Sequence, residues 1–143
     1  MSKLSERIKE YMAEREINQT VLANATGVKP ANVSQILSGL YTPQYSYFIG
    51  LLYYFNCSAD YLLGLTDIHT EQPLHSVPKF SERLFYILQE HNISRYRLSI
   101  DLKISSSVIH KWIHGVSEPS TDTLILLSRY FDCSVDYLIG RIR

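Results

Sequence analysis

The chain has 143 residues, of which 45% are hydrophobic and 20% charged, a balance that supports a folded core and excludes a disordered or fibrous chain. Fourteen Lys/Arg offset fourteen Asp/Glu, so no overall basic or acidic field announces a partner. Two cysteines outside any CxxC or Cys/His pattern exclude a disulfide scaffold and leave no cofactor or metal to expect, and no apolar run nears the roughly 18 residues of a membrane span.

The opening MSKLSERIKE is charged rather than apolar, unlike a secretory leader, so a cytoplasmic protein with no membrane partner is expected. Leu4, Ile8, Tyr11 and Met12 then recur at i, i+4, i+7 and i+8, the stripe of an amphipathic first helix. Asn18 suits the N-cap of a short second helix with Leu22, Ala23 and Thr26 on its inner face. Gly27 supplies a left-handed turn, Pro30 opens a third helix over residues 30–38, and Gly39 closes it. A fourth helix is expected to begin at Pro43 and run to Phe55, and a last one runs from a Ser58 cap to Gly64. Residues 68–78, IHTEQPLHSVP, carry two prolines and no apolar period, which predicts a linker.

After the linker the pattern returns. Residues 4–67 fall on residues 80–143 at a constant offset of 76 without a gap, with eighteen identical pairs where chance gives roughly four. Phe80, Leu84, Ile87 and Leu88 repeat the first stripe, Ser94 repeats the cap at Asn18, Ser105 is an acceptable N-cap for the third helix, Pro119 starts the fourth helix, and Gly115 and Gly140 stand where Gly39 and Gly64 do. Lys103 replaces the turn glycine Gly27 and must tolerate a positive φ or find another turn. Cys57 and Cys133 occupy equivalent positions and are expected to be small buried side chains. The fold expected is therefore all-α, with two tandem five-helix domains over residues 1–67 and 79–143.

INQTVLANATGVKPANVSQILSGLYTP with CSADYLLG, and ISRYRLSIDLKISSSVIHKWIHGVSEP with CSVDYLIG, resemble the lambda-repressor-like, Cro/CI (XRE) helix-turn-helix family in both copies. Arg95 stands where that family usually has Gln, Leu37 where a polar residue is common, and Pro30 and Ala31 where related repressors often place long base-reading side chains. The resemblance implies a double-stranded DNA partner, bound by a regulator, a repressor foremost, that lays helices 30–38 and 106–114 in major grooves. Carried over by position, Ala31, Asn32 and Gln35, and Ser106, Ser107 and Lys111, would face base edges. Gln19, Ser38, Arg95 and His114 would hold phosphates, and His110 shares the groove-facing side.

Charge is split between the copies. Residues 1–72 hold five Lys/Arg against seven acids, net −2, and residues 73–143 hold nine against seven, net +2. Arg95, Arg97, Lys103 and Lys111 cluster on the second helix-turn-helix, which makes the second copy the better expected reader. His110 and His114 have an i, i+4 spacing found in zinc sites, but without a third ligand the expectation is a groove-facing or solvated pair. Trp112 is expected in the core.

Gly50 and Tyr53 correspond to Leu126 and Arg129, while Phe85 and Tyr86 correspond to Lys9 and Glu10. Apolar in one copy and different in the other, these four are candidates for an interface, with a homodimer or a protein partner as occupant. A protein-interaction module built on the tyrosine-rich first copy is accordingly the alternative function. No Ser/His/Asp, Cys/His, paired-carboxylate or Gly-rich phosphate motif points to an enzyme.

Overall fold

A computed structural model describes residues 3–143, which form two compact units, one ending at Gln72 and one beginning at Pro73. Ten α-helices and no strand occur among the described residues, five helices in each unit.

The first unit comprises α1 (Lys3–Glu14), α2 (Gln19–Thr26), α3 (Pro30–Leu37), α4 (Tyr45–Phe55) and α5 (Ala59–Leu62). The α1 stripe is buried as its period requires, at Leu4, Ile8, Tyr11 and Met12. Leu22 and Ala23 of α2, Val33 and Ile36 of α3, and Phe48, Leu51, Leu52 and Phe55 of α4 are buried in the same unit, where α1 packs on α3 and α5 and α2 on α3 and α4. Each fully buried side chain of this size contributes roughly 1.5–3 kcal/mol relative to exposure. Tyr11 stacks on Phe55 with centroids 4.8 Å apart. Arg15 donates to the carbonyls of Tyr54 and Phe55 at 2.9 and 2.8 Å, placing a cation on the negative end of α4.

The second unit comprises α6 (Phe80–Glu90), α7 (Arg95–Leu102), α8 (Ser106–Ile113), α9 (Thr121–Tyr130) and α10 (Val135–Ile139). Its core repeats the first: Phe80, Leu84 and Ile87 against Leu98, Ile109, Trp112, Leu124 and Phe131. Arg83 donates to the carbonyls of Tyr137 and Leu138 at the end of α10, the role its counterpart Arg7 fills with Tyr61, Thr66 and Asp67 in the first unit.

Three local expectations are corrected. The fourth helices begin at Tyr45 and Thr121, two residues after Pro43 and Pro119, because Gln44 and Ser120 take the extended backbone of an N-cap and Ser120 Oγ accepts from the Thr123 amide. The third helices end at Leu37 and Ile113, so Ser38 and His114 are C-caps ahead of Gly39 and Gly115 at φ 79° and 72°. Cys57 is buried, but Cys133 is only partly so.

The stretch expected as a linker carries no helix, yet it is tied down in places. His69 packs its ring 4.0 Å from that of Tyr61 in the first unit. In the second unit the His75 amide donates to the Arg141 carbonyl at 2.7 Å, and buried Arg141 returns Nη1 to the His75 carbonyl at 3.0 Å. Gly140, at φ 86°, has Pro78 so close that an added Cβ would lie 2.8 Å from its ring, so this arm needs glycine there.

Candidate nucleic-acid interface

The two helix-turn-helix elements are α2–α3 and α7–α8. Each first helix starts from a capped residue: the Asn18 side chain accepts from the Val21 amide at 2.9 Å, and Ser94 Oγ accepts from that of Arg97 at 3.0 Å. Each ends in a left-handed residue, Gly27 at φ 74° and Lys103 at φ 56°. The turn is therefore the same in both units despite the loss of glycine, and Lys103 carries the steric cost of its Cβ. Pro30 opens α3 without a side-chain cap, whereas Ser105 Oγ accepts from the Val108 amide at 3.3 Å to open α8.

Burial fixes which side of each third helix is presented. In α8, Ile109 and Trp112 are buried, Trp112 edge-on to Phe80 at 6.3 Å, and this turns Ser106, Ser107, His110 and Lys111 outward. His114 follows on the same side, its ring 4.1 Å from that of His110. In α3, Val33, Ile36 and Leu37 are buried, and Ala31, Asn32 and Gln35 are exposed, followed by Ser38. Burial of Leu37 explains why no polar side chain is needed there. Gln19 and Arg95, the first residues of α2 and α7, are exposed at the helix N-termini. All eleven candidate DNA contacts thus lie at the surface, in two sets, one on each unit.

The electrostatics of the two sets differ. No cation projects from α3, and Lys29 at its N-cap is the nearest in sequence. Arg95, Lys103, Lys111 and two histidines surround α8, and among the described residues the side chains of Arg95 and Lys111 make no ion pair or hydrogen bond. Arg97 is engaged by Asp101 at 3.2 Å. Tyr130 donates to the same carboxylate at 2.6 Å, a bond that raises the phenol above its usual range and holds Asp101 to its own unit.

Ser38 is partly spent on local structure, its hydroxyl donating to the Gln35 carbonyl at 2.7 Å. No His, Cys, Asp or Glu group suited to a metal occurs among the described residues. Tyr53, Phe85 and Tyr86 are exposed, and a Cβ on Gly50 would meet nothing within 4 Å. Tyr86 is partly engaged inside its unit, with Arg83 over its ring at 5.0 Å.

One residue on this surface escaped the position-by-position transfer. Val108, 37% exposed, occupies the α8 position that Asn32 occupies in α3. The constant repeat offset would have found it, since 108 rather than 107 is the partner of 32. Tyr96 and Ile100, one turn apart on α7, are likewise exposed, where the first unit has Thr20 and Asn24.

Comparison with family models gives two matches. The Cro/C1-type HTH DNA-binding domain covers residues 83–142, and the Helix-turn-helix family covers residues 8–62. Neither curated proteins nor solved structures give a significant match. The two matches follow one another along the chain and enclose both turns and both third helices, so the chain belongs to the Cro/CI-type (XRE) helix-turn-helix family as two tandem domains, that is, to the DNA-binding transcription regulators.

Proposed function

We propose that the protein is a sequence-specific repressor in which α8 reads the major groove and α3 contributes weaker contacts. A B-form major groove is about 12 Å wide and admits one helix. Ser107, Lys111 and His110 of α8 then face base edges, with Lys111 placed to donate to guanine O6 and N7. Arg95 and His114 flank the helix as phosphate contacts that set register. Asn32 and Gln35 are the base-facing amides of α3, with Ala31 beside them and Gln19 and Ser38 toward the backbone.

The observation that carries this reading is the cluster of unpaired cations on the second helix-turn-helix in a chain whose net charge is zero. Occupation of an operator by such a protein represses by excluding polymerase. Selection from a random duplex pool, followed by run-off transcription from a template carrying the selected site, tests both parts. A shared motif and lower transcript yield are expected; an unselective pool or a raised yield contradicts the proposal.

A second copy of the chain supplies the two-fold symmetry of a palindromic site. Tyr53, 46% exposed beside the open Gly50 surface of α4, supports that contact. Sedimentation is expected to show Tyr53→Arg weakening self-association with helicity unchanged, and a wild-type monomer at all concentrations contradicts it.

A further inference from the structure

The second unit holds a groove of about 750 Å³ between the C-terminal half of α6, the start of α7 and the end of α8. Its floor is apolar, formed by Leu88, Ile93 and Ile113, and Phe85 stands on its rim with 57% of its surface exposed. Its other edge is cationic: Arg95 and Arg97 lie there with His114, and no carboxylate lines it. Arg97 is shared with Asp101, whereas Arg95 has no partner among the described residues. The first turn of the eight-residue α7 opens on the same edge, adding the positive end of a helix dipole to these side chains.

The first unit shows what the fold alone requires here. Its equivalent depression is smaller, about 500 Å³, and is lined by Lys9 where the second has Phe85 and by Gln19 where the second has Arg95. Neither an aromatic rim nor an arginine is needed to build the domain. Both additions suit one kind of occupant, an apolar body that covers Phe85 with an anionic end at Arg95.

We propose that this groove binds a small organic monocarboxylate with an aryl or alkyl body, and that the bound acid weakens DNA binding by taking Arg95 from the phosphate backbone. The second clause rests on the DNA reading above; the first does not. No covalent step is involved. Two ligands that need the same guanidinium exclude one another, so saturating acid raises the apparent dissociation constant of the duplex by mass action.

The test uses the full chain, 2-naphthoate as probe and 2-naphthalenemethanol as its neutral counterpart. Saturable naphthoate binding is expected, with amide shifts at Ser94, Arg95 and Ile113 and at least about tenfold weaker binding of the alcohol. At roughly ten times its own dissociation constant, naphthoate should weaken the selected duplex about tenfold. Phe85→Ala should abolish probe binding and displacement while leaving helicity unchanged, since Phe85 is exposed. The proposal is overturned by absence of saturable binding, by equal binding of the alcohol, or by undiminished binding to the Phe85→Ala variant. It is also overturned by a dimer that dissociates in that variant, which would give the groove to a second copy. Naphthoate binding by a protein that retains no duplex would leave the groove standing and remove the DNA reading, whereas duplex binding without naphthoate binding would do the reverse.

Discussion

The third helices α3 and α8 start from the same repeat and the same turn and share two buried anchor positions, yet they offer different surfaces. Val33 and Ile36 hold α3 to its unit as Ile109 and Trp112 hold α8. Outward, α3 shows alanine and uncharged amides, and α8 shows lysine, serine and His110, with His114 at its C-cap and an arginine of unpaired side chain nearby. Core positions answer to packing, which both copies must satisfy, while outward positions are left to the ligand. The comparison therefore separates what the fold demands from what binding adds.

The comparison breaks most severely if α8 loses its anchor. Trp112 is 4% exposed, and Trp112→Ala should cost about 3–5 kcal/mol and unfold the second unit first. Circular dichroism melts should show an early transition, and duplex binding should vanish with it. Because Trp112 is the only tryptophan, fluorescence of the wild type during unfolding reports the second unit alone. Retention of duplex affinity after that early transition would assign binding to the first unit.

A smaller effect sharpens the division of charge. Removing one phosphate contact lowers the slope of log affinity against log salt by about 0.9. Arg95→Ala should therefore flatten that slope by about one unit and weaken all duplexes alike, whereas Gln19→Ala at the equivalent position should leave the slope unchanged. A salt titration of both variants on the same duplex checks this.

The turn gives the smallest of these effects. Lys103 adopts φ 56° with a Cβ, where Gly27 adopts φ 74° without one. Lys103→Gly should stabilise the second unit by up to about 1 kcal/mol, and Gly27→Lys should destabilise the first by about 1–2 kcal/mol. Both are measured by denaturant midpoints. Because Lys103→Gly also removes a cation beside α8, it should weaken duplex binding even as it stabilises the fold.

Much of this was legible in the residues. The stripe at Leu4, Ile8, Tyr11 and Met12 and the caps at Asn18, Ser94 and Ser58 are local signals, and each produced the element it announces. Pro43 and Pro119 misled because proline suits a helix start, while the cap residue after each one decides where the helix begins. The arm at His75 and the buried Arg141 could not be foreseen, since they pair across 66 residues through backbone carbonyls that carry no sequence signature. The groove beside Phe85 was invisible for a similar reason: its lining comes from three helices, and an exposed phenylalanine marks an interface as readily as a ligand.

The claim that α8 is the reader is tested most directly by measuring Lys111→Ala and Gln35→Ala side by side on one operator selected by the wild type. The two residues occupy the same position of the repeat, both are exposed, and truncation of either leaves its core untouched. Lys111→Ala is expected to cost about 1–3 kcal/mol and to relax preference at a single base pair, with Gln35→Ala close to neutral. A larger loss for Gln35→Ala than for Lys111→Ala would contradict the account and give the reading role to α3.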